Sequence, residues 1–195
     1  VPFGVFSPLR GEYLDLIAQA PIYPNIQTAF DIGTGSGVIA AILAKRGIPD
    51  IIATDTNPKA IACATANLEH LGLDKAVNIQ SIDLFPETCA DLIVCNPPWL
   101  PAKPTSAIEI ALYDPNNAML TAFLNGVSYH LNPNGEAWLI ISDLAEHLHL
   151  RDKDFLNQCF QTASLDVVDI LKTKPQHKKA IDESDPLAFA RNKET

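Results

Sequence analysis

Residues 96–99 read Asn-Pro-Pro-Trp and directly follow the apolar run DLIVC. Such a run is typical of a buried strand, whereas prolines fix the backbone and lack the N–H groups that strand pairing needs. The side-chain oxygen of Asn96 and the carbonyl of Pro97 are two acceptors suited to the two hydrogens of a planar NH₂ group. The flat face of Trp99 suits the stacking of that group. The alternative is a plain turn whose tryptophan packs into the core.

A pocket of this kind would favour chemistry at nitrogen. The lone pair of an amide or aromatic amine is delocalised, so the nitrogen is a poor nucleophile. Two acceptors that hold its hydrogens turn the lone pair toward an electrophile and stabilise the positive charge that grows on nitrogen. Alignment of the reactants supplies much of the rest, and no strong base is required. Cys95 precedes Asn96, but this chemistry needs no thiol, and a buried strand cysteine is the simpler interpretation.

A glycine-rich turn within FDIGTGSGV, residues 30–38, is a second candidate site. Gly33, Gly35 and Gly37 permit positive φ and close approach of a ligand, and the helix that follows offers free N–H groups. The spacing G-x-G-x-G differs from the dinucleotide pattern G-x-G-x-x-G, and the Lys-Ser or Lys-Thr pair of a P-loop is absent. Taken alone, the turn is equally typical of a tight strand-to-helix connection.

Two aspartates at predicted strand ends extend this second site. Asp55 ends the second strand, where a carboxylate accepts both hydroxyls of a ribose. Asp83 ends the third strand in SIDLF and is placed to accept a hydrogen bond from the exocyclic amine of an adenine. Each alone fits an ordinary strand-end or capping role. Together with the glycine turn, they predict a site for an adenosine without phosphates.

Strands and helices alternate along the chain and must position these residues. Strands are predicted at 29–33, 51–55, 77–85, 91–96, 136–143 and 165–173, and helices at about 10–20, 37–47, 58–71, 117–131 and 152–164. The segment NPNG at 132–135 is expected to end the fourth helix. This alternation predicts a doubly wound, mostly parallel α/β sheet, in which ligands bind beyond the carboxyl ends of the strands.

These motifs resemble those of the class I S-adenosylmethionine-dependent methyltransferases. The stretches DIGTGSG, ATDTNPKAIACATANLEHLGL, SIDLF and VCNPPW occur in order, and the resemblance covers roughly residues 5–145. The chain is most similar to the glutamine N-methyltransferases of peptide-chain release factors and ribosomal protein. The resemblance implies S-adenosylmethionine as cofactor and a Rossmann-like sheet of order 3-2-1-4-5-(7)-6. Residues 180–195 contain no convincing strand, so we expect the antiparallel seventh strand to be absent from this chain.

The resemblance also implies a role for individual residues, with Asn96 facing the glycine turn across the sheet. The methionine end of the cofactor would contact Asp31, Gly33, Thr34, Gly35 and Gly37. The ribose would contact Asp55 and Thr56, and the adenine Asp83 and Leu84. Methyl transfer would use Asn96, Pro97 and Trp99, with Asn96 also close to the cofactor. Related enzymes often have Tyr or Phe in place of Trp99, which preserves the stacking surface.

Substrate contacts are predicted on both sides of the Asn-Pro-Pro-Trp turn. Pro98, Arg10 and Glu12 are the candidates, the last two because FSPLRGEYL at 6–14 resembles the helix that covers the substrate in these enzymes. A surface salt bridge is an equally good interpretation of Arg10 and Glu12. The loop at 100–117 carries three prolines, and its length is typical of a substrate-binding loop.

Composition narrows the classes of partner. The chain has 23 acidic and 14 basic residues and a net charge of −9, which argues against binding of nucleic acid by this chain alone. The basic stretch KTKPQHKK at 172–179 is typical of a solvated loop. No apolar stretch is long enough for a membrane span, and four scattered cysteines indicate a reducing, cytoplasmic location. No metal site is predicted, because the H-x-H pair at 147–149 lacks a second cluster of ligands.

The 195 residues are predicted to form one methyltransferase domain. Its expected parts are a substrate-side segment at 1–25, a core of sheet and helices at 26–175, and a polar tail at 176–195. Met119 is the only methionine, so we expect a segment upstream of Val1 to be missing. The sequence does not indicate an oligomeric state.

Three functions are consistent with these motifs. The preferred function is N-methylation of a planar nitrogen, foremost a glutamine side chain of a protein. The second is methylation of an exocyclic base amine in RNA or DNA, which a basic region upstream would support. The third is a non-catalytic cofactor-binding subunit, against which the presence of Asp55, Asp83 and Asn96 together argues.

Overall fold

The structure is a computed structural model that describes residues 1–2, 4–6, 11–103, 112–174, 193 and 195. Its centre is a parallel five-stranded sheet of order β3-β2-β1-β4-β5. The strands are β1 (Thr28–Ile32), β2 (Asp50–Thr54), β3 (Val77–Gln80), β4 (Ala90–Cys95) and β5 (Leu131–Leu139). The predicted doubly wound fold and the order 3-2-1-4-5 are therefore confirmed.

Helices cover both faces of this sheet. They are α1 (Glu12–Gln19), α2 (Val38–Lys45), α3 (Pro58–His70), α4 (Ala118–Val127), α5 (Leu144–His147) and α6 (Phe155–Thr162), with a short 3₁₀ turn at Pro115–Asn117. Helix α3 shows how the sequence sets these bounds. The Asn57 side chain caps its start by accepting the Lys59 N–H at 3.0 Å, and Pro58 is its first residue. Gly72, at φ +67°, follows its end.

Two apolar clusters lie on opposite faces of the central strands. One packs α1 and α2 against β1, β2 and β4, and includes the fully buried Leu43, Ile51 and Leu92. The other packs α4 and α6 against the other face, around Phe30 and Phe123. Strands β1 and β4 are buried on both faces, which explains why their sequences are almost continuously apolar.

Two predicted strand boundaries are wrong. The third strand ends at Gln80 rather than at residue 85, because the chain turns at Leu84 (φ +53°) and the carbonyl of Leu84 accepts the Thr54 hydroxyl at 2.7 Å. Strand β5 begins at Leu131, so NPNG lies within it, as a bulge between the pairs Ala90–Leu131 and Leu92–Glu136. Glycine suits position 135, since a Cβ there would lie 3.0 Å from the carbonyl oxygens of both Asn132 and Asp91, closer than ordinary contact.

The predicted sixth strand at 165–173 is not formed. These residues have no strand neighbour in the described structure, and Val168 and Ile170 are 83% and 66% exposed. A strand is stabilised only when its backbone pairs with another, so an apolar, β-branched sequence is not sufficient. Apart from residues 193 and 195, the predicted polar tail at 176–195 lies outside the described residues.

Asp91 ties together the amino ends of three strands. Its Oδ2 accepts the N–H groups of Gln27 and Thr28 at 2.9 and 3.0 Å and the Thr28 hydroxyl at 3.0 Å. Its Oδ1 accepts the Asn132 side-chain amide at 2.7 Å. Burial alone would raise the pKa of Asp91, but the hydrogen bonds from Asn132, Gln27 and Thr28 outweigh it and lower the pKa to about 2.

Asp91→Asn should therefore lower the free energy of unfolding at pH 7 by about 1–2 kcal/mol, because charge-assisted hydrogen bonds are lost. The pKa in the folded state is below the ordinary 3.8, so this contribution is complete above that pH and disappears as pH falls through about 2. Urea titrations of wild type, Asp91→Asn and the exposed control Asp15→Asn at pH 7 and pH 3 measure it. Equal stability of wild type and Asp91→Asn at pH 7 would contradict the assignment.

Candidate active site

The carboxyl ends of three neighbouring strands place the candidate residues at one level. Ile32 in β1 pairs with Thr54 in β2 and with Cys95 in β4. The next residue in each strand is Gly33, Asp55 or Asn96 respectively. The structure therefore brings together the glycine turn, the predicted ribose aspartate and the Asn-Pro-Pro-Trp turn, on adjacent strands of the sheet.

The glycine turn after β1 requires glycine for two reasons. Gly33, Gly35 and Gly37 have φ of +70°, +56° and +81°, which other residues adopt only with strain. A Cβ on Gly37 would also lie 3.1 Å from Cβ and 3.2 Å from Cα of Ala64, whereas one on Gly33 would lie 2.8 Å from the flexible Cε end of Met119, which can move aside. The Thr34 N–H donates to the Thr54 carbonyl at 2.8 Å, which fixes the turn to the end of β2.

Asp31 lies directly beneath this turn and is completely buried. Its Oδ2 accepts the Thr34 hydroxyl at 2.6 Å and the Ala40 N–H at 3.0 Å. Its Oδ1 is buried and has no hydrogen-bond partner among the described residues. Burial raises the pKa of this carboxyl to about 6, the negative charge of Asp55 adds to the effect, and the two hydrogen bonds oppose it. A buried oxygen without a donor is costly, and a ligand that carries a positive N–H group would satisfy it.

Asp55 is half-buried and faces the same turn. Its Oδ2 accepts the Gly35 N–H at 2.9 Å, and its Oδ1 accepts the Asn57 N–H at 2.8 Å. Each carboxylate oxygen keeps a further lone pair, so both can accept hydroxyl groups of a ligand. Thr56 is the exposed residue beside it.

Asp83 does not end a strand, contrary to the sequence prediction. It is exposed in the loop three residues beyond Gln80, where the chain turns toward the end of β2. Leu84 follows it, and its carbonyl is held by the Thr54 hydroxyl. Thr54 therefore connects the loops after β1 and β3, and Asp83 stays on the same edge of the sheet as Asp55.

The Asn-Pro-Pro-Trp turn is closed by its own side chains. The indole N–H of Trp99 donates to Oδ1 of Asn96 at 2.9 Å, which orients the Asn96 amide. Pro97 is buried, and its carbonyl accepts no hydrogen bond from the residues that the structure describes. The Trp99 ring meets the Tyr13 ring of α1 edge to face, with centroids 6.1 Å apart and planes at 80°. Trp99 thus supports Asn96 and is itself packed against α1.

The predicted substrate residues are only partly described. Pro98 and Glu12 are half-buried, Glu12 at the start of α1, whereas Arg10 and residues 104–111 of the long loop lie outside the described part of the chain. The described ends of that loop meet, because the Asp114 N–H donates to the Leu100 carbonyl at 2.8 Å. The Asp114 carboxylate then accepts the N–H groups of Met119 and Leu120 at 2.9 and 3.0 Å and so caps α4.

Three buried residues of the site were not predicted from the sequence: Tyr13, Asp114 and Arg151. Asp114 precedes Pro115 and a helix, a capping signal that the sequence does contain. Tyr13 lies within FSPLRGEYL, and burial together with the charges of Asp31 and Glu12 raises its pKa above the ordinary value. Arg151 contacts Trp99 across 52 residues of sequence, so no local pattern indicates it.

Two other chemistries gain no support. In the described part of the chain, no group of three or more His, Cys, Asp or Glu side chains could hold a metal ion. The Cys95 thiol is fully buried, and burial, with the charges of Asp31 and Asp114, raises its pKa, so it stays protonated.

Among the described helices, none has both the length and the apolar character that a bilayer span needs.

Comparison with known proteins identifies the family. The family model of the methyltransferase small domain matches residues 15–169, which is most of the chain. The chain belongs to the methyltransferase small domain family. This membership confirms the methyltransferase resemblance of the sequence motifs, and the matched residues include the glycine turn, Asp55 and Asn96.

Two proteins similar to this chain are named for different classes of substrate. The chain is 31% identical over 133 residues to the tRNA1(Val) (adenine(37)-N6)-methyltransferase of Cytophaga hutchinsonii, covering 64% of this chain and 56% of that protein. It is 34% identical over 140 residues to the release factor glutamine methyltransferase of Cereibacter sphaeroides, covering 64% and 50%. The chain thus matches about half the length of each relative.

Solved structures confirm the fold. The ribosomal protein L11 methylase of Lactobacillus delbrueckii subsp. bulgaricus superposes with a TM-score of 0.60 at 22% identity, covering 83% of this chain and 71% of that one. An identity this low supports the Rossmann-like methyltransferase architecture and nothing about substrate.

The buried Asp31 carboxyl should titrate far from a surface aspartate. Its pKa of about 6 is above the ordinary 3.8, so the folded chain binds this proton more tightly than the unfolded chain. Its contribution to stability therefore falls as pH rises from about 4 to about 6. Carboxyl ¹³C NMR from pH 3 to 8, with Asp31→Asn to assign the signal, should give a midpoint near 6. A midpoint at or below 3.8 would contradict this environment.

Proposed function

We propose that the chain is an S-adenosylmethionine-dependent N-methyltransferase that acts on a planar amide nitrogen, foremost a glutamine side chain of a protein. One observation carries the proposal: the Asn96–Pro97 acceptor pair leaves β4 at the level where the glycine turn leaves β1. Cofactor and acceptor nitrogen would then meet between two adjacent strands. The family assignment supports the reaction, and the geometry supports its location.

The residues at the carboxyl ends of β1 to β3 fit the cofactor. The unpartnered Oδ1 of Asp31 suits the ammonium of its methionine end, and the glycine turn leaves room for the ligand to approach the backbone. Asp55 keeps lone pairs for the ribose hydroxyls. Asp83 and Leu84 lie in the loop after β3, beside which the adenine would bind. When bound, the cofactor supplies a methyl group on a sulfonium, which is a good leaving group.

The acceptor end is organised by hydrogen-bond acceptors. After accepting the Trp99 indole N–H, the Asn96 oxygen keeps one lone pair, and the Pro97 carbonyl adds another acceptor. Together they would hold both hydrogens of an NH₂ group, direct its lone pair toward the methyl carbon and stabilise the developing positive charge. Methyl transfer leaves a cationic nitrogen that loses a proton easily, so the site needs no strong base.

A second candidate is methylation of the exocyclic amine of an adenine in RNA. The similarity to the tRNA enzyme of Cytophaga hutchinsonii favours it, as does the flat surface of Trp99. The net charge of −9 opposes it, because phosphate contacts supply most affinity for nucleic acid. We therefore place a protein substrate first.

The four free cysteines fit a reducing, cytoplasmic setting for either reaction.

The acceptor class is tested by transfer of radiolabel. The purified chain is incubated with methyl-labelled S-adenosylmethionine and extract from undermethylated cells, and the products are digested with protease or with nuclease. Label released only by protease, and located on a glutamine by mass spectrometry, supports the proposal. Label released by nuclease supports the RNA candidate and overturns the protein substrate. Asn96→Ala in parallel shows that the label depends on this site.

Asp55→Ala should weaken the binding of S-adenosylhomocysteine by about 1–3 kcal/mol, because hydrogen bonds to the ribose hydroxyls are lost. Calorimetric titration measures the change. Asp50→Ala is the matched control, since Asp50 is an exposed residue at the opposite end of the same strand. Equal affinities of Asp55→Ala and wild type would contradict the ribose assignment.

Asn96→Ala should reduce kcat by roughly a hundredfold, because an acceptor for the charge developing on nitrogen is removed. Its affinity for S-adenosylhomocysteine should stay within about twofold of wild type, since most of the proposed cofactor contacts follow β1, β2 and β3 rather than β4. Steady-state kinetics and calorimetry measure both values, with the exposed Asn125→Ala as control. Retention of wild-type kcat by Asn96→Ala would show that this acceptor pair is not used.

A further inference from the structure

Arg151 is a buried arginine with a complete set of partners. Its side chain is 1% exposed, in the short segment between α5 and α6. Its Nε and one terminal nitrogen donate to the two Glu146 oxygens at 2.8 and 3.0 Å, and that same nitrogen donates to the Ser142 carbonyl at 2.9 Å. The other terminal nitrogen lies 3.5 Å from both the Trp99 carbonyl and Oδ1 of Asn117. The five N–H groups of a guanidinium thus face five acceptors.

These acceptors belong to four separate segments around the acceptor site. Trp99 ends the Asn-Pro-Pro-Trp turn, Asn117 directly precedes α4, Ser142 follows β5, and Glu146 lies in α5. Arg151 therefore joins the turn after β4 to the elements after β5. Asn117 adds a second connection, because α4 carries Met119 over the glycine turn.

A buried ion pair of this kind is not explained by stability alone. The desolvation of two charges offsets most of their attraction, and packed apolar side chains of similar volume often stabilise a fold as well. What an apolar pair cannot do is hold a backbone carbonyl in one place. The guanidinium has a rigid fork of donors, and a lysine at this position would have only three donors and no fork.

We propose that Arg151 is a positioning residue for the Asn96–Trp99 turn. It holds the Trp99 carbonyl from behind, while the Trp99 indole holds the Asn96 amide from within. Glu146 in turn fixes the orientation of the guanidinium. This inference rests on the proposed function for its effect on turnover, but the placement of Trp99 by Arg151 does not depend on it.

Arg151→Met and Arg151→Lys test the proposal with two readouts. The first is the fluorescence emission of Trp99, measured in a Trp138→Phe background so that Trp99 is the single tryptophan. The second readout is kcat, compared with the affinity of the same variant for S-adenosylhomocysteine. Both variants should shift the emission of Trp99 to longer wavelength and lower kcat by roughly tenfold to a hundredfold, with cofactor affinity within about twofold of wild type.

Val77→Ala is the control for stability, because Val77 is buried at the start of β3, far along the sheet from β4. It should lower the Tm but leave Trp99 emission and kcat unchanged. If Arg151→Lys lowers the Tm in the same way, with wild-type Trp99 emission, the residue is merely structural and the proposal is overturned. If Arg151→Met does not fold, Arg151→Lys and Glu146→Gln provide the same comparison.

The two proposals fail in different ways. If the wild-type chain transfers no methyl group, the proposed function fails, yet the emission of Trp99 in the Arg151 variants still supports or overturns the positioning role. If methyl transfer occurs and Arg151→Lys keeps both wild-type kcat and wild-type emission, only the positioning role is overturned.

Discussion

The register of β1 between β2 and β4 is the constraint on which the site depends. Ile32 pairs with both Thr54 and Cys95. Three segments of the chain therefore leave the sheet at one level, at Gly33, Asp55 and Asn96. Parallel pairing fixes side-chain direction as well as level, and a slip of one residue would exchange the faces of a whole strand. The buried apolar residues of β1 and β4 specify this register from both sides.

Three buried charged side chains of the described residues help to hold this arrangement together. Asp31 supports the glycine turn, Asp114 caps α4, and Arg151 joins the turn after β4 to the elements after β5. Burial of each group costs desolvation energy. The hydrogen bonds of Asp114 and Arg151 offset this cost, whereas those of Asp31 offset it only in part, so its pKa stays raised. Oδ1 of Asp31 is the buried side-chain oxygen that finds no donor within the described structure, and it lies beneath the turn where the cofactor is proposed to bind.

The sequence predicted those parts of the site whose conformation depends on residues close together in the chain. The glycine turn, the Asn57–Pro58 helix start and the apolar strands β1, β2 and β4 follow from φ preference, capping and burial of single segments. The loop position of Asp83, the bulge in β5 and the missing strand at 165–173 do not, because each depends on what a neighbouring segment offers for pairing. The bond between Trp99 and Asn96 is local, but it depends on the conformation of the turn, which residue types alone do not give. The contacts of Arg151 with Trp99 and Asn117 are tertiary, so no spacing pattern indicates them.

A crystal structure of the chain with S-adenosylhomocysteine bound tests the central claim most directly. The sulfur should lie between the glycine turn and Asn96, with the ammonium at Oδ1 of Asp31 and the ribose hydroxyls on Asp55. The Trp99 indole should still donate to Asn96. A ligand bound elsewhere, or one whose sulfur lies away from Asn96, would contradict the claim that cofactor and acceptor meet between β1 and β4.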